Sequence, residues 1–368
     1  MRIAFMHRRL AGGGTEADLC RMASGLAARG HELHAFVAKA DAAPAGVTVR
    51  RVPIVRAGRV ARLVSFGLAA PRAVAAERWD VIVGFGRTPR QEVVRVGGGT
   101  HRSYLARMEA ADQRGPRRGP YHRAVLWLER RMFAPEGHRA VIAVSQGVAR
   151  EVENDYGVPA SHVRVLYNGV DLERFHPGRR AADGRTVRAE LGLGEGPVCL
   201  AIGTGFVRKG FDILLRMWCE QPPGEATLLL VGDDERIARY KREAAAGGRV
   251  QLLGPRPDVD RLLAAADAVV VPSRQEAFGN VVLEACAAGV PVVTSRRVGA
   301  AELLGGLSDD LIVDDPDDAR ALRGAIVRAL GPGWARRSTE ARSRAEEFPW
   351  SRHLDELEHV LGEVARAR

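Results

Sequence analysis

Short apolar runs alternate with longer amphipathic stretches along this chain. The runs at 2–6 (RIAFM), 32–37 (ELHAFV), 47–52 (VTVRRV), 80–85 (DVIVGF), 140–145 (AVIAVS) and 163–167 (VRVLY) predict β-strands. Segments such as 15–29 and 59–77 repeat their apolar residues at helical spacing and predict helices between them. Short apolar strands alternating with helices argue for a parallel sheet covered by helices on each side. The pattern then restarts. A second set of runs lies at 198–203, 227–232, 250–254, 268–273, 291–295 and 310–315, and from 334 onward the chain reads as charged helix. Between the two sets, 167–184 (YNGVDLERFHPGRRAADG) is dense in turn residues and charge and reads as a linker, with Asn168-Gly169 as a turn signal. The expected architecture is α/β, with two doubly wound domains facing a cleft. Open sheets of this kind bind ligands at the carboxyl ends of their strands, so residues just after a strand carry the most weight.

Composition narrows this picture. A length of 368 residues fits two domains, and 46% hydrophobic residues suffice for two cores. There is no apolar run of about 18 residues, so no membrane-spanning helix is expected. The opening MRIAFMHRRLAGGG reads as a strand entering a glycine loop rather than a secretion signal. Cys20, Cys199, Cys219 and Cys286 are dispersed, without a CxxC pair, which fits a reduced cytosolic protein. The net charge of +10 is uneven: residues 1–175 carry +12 and the remainder −2. That asymmetry points the first half towards an anionic surface.

Four stretches carry candidate chemistry. AGGGTEADL (11–19) follows the first strand and opens a helix, a place where phosphate or sugar meets backbone N–H groups; a bare tight turn also explains the glycines. It is not GxGxxG, and no suitable acidic residue ends the second strand, which disfavours a nicotinamide site. AIGTGFVRKGFDILL (201–215) sets Arg208 and Lys209 side by side in a glycine-framed loop, two fixed cations suited to a diphosphate unless they are plain surface charge. RQEAFGNVVLEACAAG (274–289) places Glu276 in a loop and Glu284 inside a helix that begins near Gly279, with Asn280 as N-cap. A phosphate fits at that helix start, with a ribose diol on Glu284 and a sugar towards Glu276; two solvated charges are the plain alternative. VGGGTHRSYL (96–105) puts His101 after a glycine turn, where a structural role is as natural as a functional one.

His101 also begins a basic stretch. From Arg102 to Arg131 there are eight arginines and three acids, with Leu105, Tyr121, Leu126, Trp127 and Leu128 interleaved. Either an ordinary amphipathic helix or an element lying on an anionic membrane surface has this composition. Nucleic acid is a further anionic candidate, but no recognised motif supports it. The acidic clusters DVD (258–260) and DDPDD (314–318) lack a nearby histidine and read as a helix start and a loop, so no metal site is expected.

Taken together, the Gly13-Gly14 loop, NGVD (168–171), RKG (208–210) and the glutamate pair at Glu276 and Glu284 resemble the retaining, nucleotide-sugar-dependent glycosyltransferases of family 4. The resemblance covers nearly the whole chain and implies the GT-B fold of two Rossmann-like domains. It is strongest to members that add a hexose to the lipopolysaccharide core, in GFVRKGFD (205–212), the stretch 262–295 and CRMASGLAARGH (20–31); residues 95–104 look more like other members. It implies an acceptor-binding, membrane-facing domain over 1–167, a donor-binding domain over 168–350, and a C-terminal helix over 351–368 packing back on the first.

The resemblance also implies roles. Arg208 and Lys209 hold the diphosphate. Phe278, Gly279, Asn280 and Val281 offer backbone groups to phosphate and sugar. Glu284 binds the ribose, Arg256 lies beside the nucleobase, and Glu276 holds the transferred sugar. His101, Gly13 and Gly14 belong to the other domain's side of the donor. The implied reaction moves a hexose, glucose from UDP-glucose, to a lipopolysaccharide core or related lipid-linked glycan. It needs no metal and no cofactor beyond the nucleotide-sugar. The implied place is the cytoplasmic face of the inner membrane, on anionic lipid through 102–131. Mannosyl or N-acetylhexosaminyl transfer is the nearest alternative. A nucleotide-sugar epimerase needs acid/base residues at the sugar, and the RKG and two-glutamate combination argues against it. A sugar-binding protein without catalysis has no need of Arg208-Lys209.

Overall fold

In a computed structural model that describes residues 1–10, 13–112 and 119–367, the chain forms two compact units. One comprises Met1–Asn168 and Ser351–Arg368, the other Gly169–Trp350. Among the described residues, the main sheet of the first unit has seven strands: β1 Arg2–Met6, β2 Glu32–Val37, β3 Val47–Arg51, β4 Val81–Gly84, β5 Val93–Val96, β6 Ala140–Ala143 and β7 Val163–Val165. They lie in the order β3-β2-β1-β4-β5-β6-β7, all parallel. The second unit holds β8 Val198–Ile202, β9 Thr227–Val231, β10 Val250–Gly254, β11 Ala268–Val271, β12 Val292–Ser295 and β13 Ile312–Val313. Their order is β10-β9-β8-β11-β12-β13, again parallel. Each sheet starts at its centre, winds to one edge, then returns and winds to the other. The switch points of this doubly wound topology fall beside β1 and β8.

The helices Gly14–Ala28 and Gly58–Val74 lie where the periodicity places them. Strand β5 is absent from the sequence reading. It is four residues long and carries Arg95, which is buried despite its charge. The stretch 167–184 is a connection only at its start. The unit boundary falls at Asn168/Gly169, and beyond it the 3-10 helix Pro177–Ala181 and the helix Asp183–Glu190 are folded into the second unit. Their arginines fix them there: Arg179 meets Asp260 at 2.7 Å, and Arg180 and Arg188 both pair with Asp267. The basic stretch after His101 forms two helices, His101–Asp112 and Pro120–Met132; the arginines at 114, 117 and 118 lie outside the described residues.

Each unit has its own core. In the second, Phe206, Phe211, Leu214 and Trp218 pack on Cys199, Ala201, Leu228 and Leu230 of the sheet. Trp218 is fully buried, and its indole N–H donates to Ala226 O at 3.1 Å. In the first, Phe66, Ala70 and Val74 pack with Ala4, Met6, Phe36 and Trp79. The helix Trp350–Arg366 joins the first unit from Ser351 onward. Arg29 reaches Asp355 at 2.7 Å and Glu358 at 3.1 Å, and Leu354 lies so close to Gly25 that a Cβ there would stand 2.5 Å from it.

Candidate active site

The second sheet's switch point brings together the residues that follow β8 and β11, which are neighbouring strands. After β8 the chain turns through Gly203-Thr204-Gly205 into one helical turn, Phe206–Lys209, and then through Gly210 into the helix Phe211–Glu220. Arg208 and Lys209 are therefore the end of a helical turn rather than part of an open loop. Gly205 and Gly210 have φ of 75° and 71°, the left-handed region that favours glycine. At Gly210 the requirement is also steric, because a Cβ would lie 2.1 Å from Pro272 O after β11. Gly203 makes room for Lys209: a Cβ there would meet its Cε at 2.6 Å. The turn's first N–H groups are taken by the loop after β9, Phe206 N donating to Asp234 Oδ2 at 2.7 Å and Gly205 N to Asp233 O at 3.0 Å.

Glu276 faces this turn. Arg208 Nη1 is 2.9 Å from Glu276 Oε2, and Lys209 Nζ contacts the same oxygen. Lys209 is 10% exposed and Glu276 18%, so a nearly dry carboxylate sits between two cations. Burial pushes the Glu276 carboxyl up, but Lys209 and Arg208 outweigh it and hold the group below the usual carboxylate range. At Lys209 burial wins. It pulls the ammonium below its ordinary value, Arg208 adds to the effect, and Glu276 offsets only part of it. The backbone of Glu276 is fixed as well: its N–H donates to Arg297 O at 3.3 Å, and its carbonyl accepts from Gly299 N at 3.1 Å.

Beyond Glu276, Phe278 is buried and its carbonyl accepts from Ala300 N at 2.8 Å. Gly279, at φ 95° and ψ 70°, is the N-cap of the helix Asn280–Ala287, and Asn280 is its first helical residue. The expected asparagine cap is thus replaced by a glycine, because the chain enters this helix through a left-handed conformation. The helix start gathers the positive end of the helix dipole, and Val282 N donates to Gly279 O at 2.9 Å. Val281 and Glu284 are half-buried on this helix. The second unit therefore assembles two cations, one carboxylate and a helix start within one set of loops, chemistry suited to an anion joined to a polyhydroxy group.

The remaining candidates lie elsewhere. Arg256, after β10, is held in a fork by Asp258, with bonds of 2.8 and 2.6 Å, and this contact keeps the Asp258 carboxyl at about 2. His101 belongs to the first unit and is buried. Its Nε2 lies 2.9 Å from His122 Nδ1, and its ring stacks on those of Tyr104 and His122. Burial, then Arg87 and His122, lower its pKa to about 4, so it is neutral at ordinary pH. Its backbone N–H donates to both oxygens of the buried Glu129, which also accepts from Tyr156 Oη at 2.6 Å. Gly13 caps the helix Gly14–Ala28 in extended conformation; the preceding glycine and alanine lie outside the described residues. Sequence reading missed Asp234 and Arg274, which brace the cation turn from other loops. An arginine directly after the apolar run 268–273, two residues before Glu276, is a signal that could have drawn attention to the second.

Residues 12–174 match the profile of the family described as Glycosyltransferase Family 4, and residues 196–331 that of Glycosyl transferases group 1. The chain belongs to the family-4, group-1 glycosyltransferases of GT-B fold and is a glycosyltransferase enzyme. It is similar to the lipopolysaccharide glucosyltransferase WaaG of Escherichia coli K12, 24% identical over 325 residues and 86% of each chain. The WaaG crystal structure superposes with a TM-score of 0.84 at 22% identity, over 98% of this chain and 99% of that one. Anabaena Alr3699/HepE, solved with UDP and glucose, gives a TM-score of 0.76 at 22% identity, over 99% of this chain and all of that one. The D-inositol 3-phosphate glycosyltransferase of Geodermatophilus obscurus is 35% identical over 239 residues, 59% of this chain; the chain spans about half, 51%, of that relative's length.

Proposed function

We propose that this enzyme transfers a hexose, glucose from UDP-glucose, to a lipopolysaccharide core or related lipid-linked glycan, with retention of configuration and without a metal. The observation that carries the reading is the convergence of Arg208, Lys209 and Glu276 beside the helix start at Gly279. Arg208 and Lys209 take the diphosphate, the N–H groups from Gly279 to Val281 take its oxygens and the sugar, and Glu284 takes the ribose. Arg256, already oriented by Asp258, addresses the nucleobase. Glu276 holds hydroxyls of the transferred sugar. Departure of the nucleoside diphosphate builds negative charge, and fixed cations with helix N–H groups stabilise that charge most where it develops. The acceptor attacks from the face the diphosphate leaves, and the departing phosphate assists its deprotonation. WaaG's name supports glucose and lipopolysaccharide, and the HepE complex with UDP and glucose supports the donor.

The test is a thermal-shift screen of UDP-, GDP- and ADP-sugars, since a ligand that binds only the folded state raises its stability by mass action. UDP-glucose is expected to give the largest rise, and turnover to persist in the presence of chelator. A larger rise with a GDP- or ADP-sugar overturns the donor assignment, and loss of turnover on chelation overturns metal independence. Transfer to a different class of acceptor is the second reading, favoured by the 35% identity to the D-inositol 3-phosphate enzyme.

A further inference from the structure

Arg274 lies two residues before Glu276, and 4% of its side chain is exposed. A charge this enclosed requires compensation, and the structure supplies it. Nη1 and Nη2 meet the two oxygens of Asp212 at 2.7 and 3.1 Å, Nε meets Asp317 Oδ1 at 2.7 Å, and Nη1 also donates to Val207 O. Its backbone N–H donates to Arg208 O at 2.9 Å. Arg208 reciprocates, with Nη1 donating to Gln275 O at 3.1 Å. The carbonyls of both residues before Lys209 are therefore held by one arginine. Burial pulls the Arg274 pKa down, and the two aspartates outweigh it and raise it.

The partners of Arg274 extend the clamp. Asp212 belongs to the first turn of the helix Phe211–Glu220. Asp317 belongs to the acidic run after β13, whose neighbours Asp314 and Asp315 pair with Arg296 and Arg297. Arg297 in turn accepts the Glu276 N–H on its carbonyl. The acidic run thus pairs with the loop after β11 through Arg274 and with the loop after β12 through Arg296 and Arg297. Replacing such an ion cluster with apolar residues is often neutral for stability, so stability alone is a weak account of it. Holding charged groups in one geometry is a better account, because anion ligands misplaced by about 1 Å lose most of their effect.

We propose that Arg274, with Asp212 and Asp317, is a positioning residue of the donor site. It fixes the register between the turn Phe206–Lys209 and Glu276, and so aims Arg208 and Lys209 at the diphosphate. This inference rests on the reading of those two cations as diphosphate ligands. The experiment is calorimetric titration of UDP, GDP and ADP, each beside its nucleoside, into wild type, Arg274→Met, Arg274→Lys, Asp317→Asn and Lys209→Ala, with Tm measured for each. Arg274→Met and Arg274→Lys are expected to weaken the bound nucleoside diphosphate by about tenfold, the scale of one charge-assisted hydrogen bond, and to leave the nucleoside unchanged. Asp317→Asn shifts affinity in the same direction by less. If Arg274→Met does not fold, the lysine and Asp317→Asn variants decide. Unchanged diphosphate affinity in the folded variants, or equal weakening of diphosphate and nucleoside, overturns the proposal. If Lys209→Ala loses the diphosphate while the Arg274 variants keep it, the functional reading stands and this inference falls. A wild type that binds no diphosphate more tightly than its nucleoside overturns both.

Discussion

Lys209 is held by burial and by one carboxylate, and both conditions govern what its removal does. Lys209→Ala takes one of two cations from a site where leaving-group charge develops, and kcat/KM for the donor is expected to fall by about 10²–10³-fold in steady-state assays. An unchanged kcat/KM would remove Lys209 from the diphosphate. The residue types were legible in the sequence, because adjacent cations after a strand and a glutamate before a helix are distinctive. Their mutual pairing was not, since Arg208 and Glu276 are 68 positions apart and meet only because β8 and β11 are neighbours. Two buried histidines make a different residue-scale prediction. His101 and His353 are each lowered to about 4, the first by burial, Arg87 and His122, the second by burial and Arg95. Both therefore bind protons more weakly folded than unfolded. Their contribution to stability is present above about pH 6.5 and is lost as pH falls towards 4. A Tm series from pH 7.5 to 4 should show this loss, with a shallower slope for His101→Asn.

At the scale of elements, the loop that carries Glu276 depends on a glycine whose conformation no other residue type adopts easily. Gly279 sits at φ 95°, and a Cβ there would lie 3.0 Å from Val298 Cγ1 and 3.2 Å from Glu276 Cγ. Gly279→Ala should cost about 1–2 kcal/mol of stability through the left-handed backbone alone. It should also weaken donor binding, because the contact falls on the side chain assigned to the sugar. Denaturant unfolding and donor titration on the same variant separate the two effects; normal donor affinity at reduced stability would confine Gly279 to a structural role. A helix starting near 279 was readable from the sequence, but its cap was not, because asparagine is the commoner cap residue and only the backbone angle identifies glycine. Strand β5 escaped for a related reason. Buried Arg95 donates to Asn168 Oδ1, and Asn168 donates to Asp18 at 3.0 Å, so a polar chain within the unit offsets part of the desolvation cost of a charge in an apolar strand. No local pattern reports partners 73 positions away.

At the scale of the whole molecule, the repeated alternation of apolar runs and helices made two doubly wound sheets readable, because the period of each element is set locally and parallel strands advertise their burial. The charge asymmetry was readable too, and it yields the last prediction. The family resemblance implies that the first half meets an anionic membrane surface; no helix among the described residues is long and apolar enough to cross one. The helix Pro120–Met132 buries Val125, Leu128, Glu129 and Met132 in its unit and turns Arg123, Trp127, Arg130 and Arg131 outward. Trp127 is 37% exposed, with the Arg131 guanidinium 4.1 Å from its ring centre. An exposed indole among arginines suits a headgroup region, where the ring enters the boundary and the cations meet phosphate. Each arginine near such a surface contributes about 1 kcal/mol, so replacing Arg123, Arg130 and Arg131 with glutamine should weaken co-sedimentation with anionic vesicles by about 10²-fold at low salt. The same variant should keep wild-type thermal-shift response to the donor, because these side chains lie outside the second unit's cation and glutamate cluster. Wild-type protein that stays in the supernatant with anionic vesicles at low salt would remove the membrane from the proposal and leave the glycosyltransferase assignment untouched.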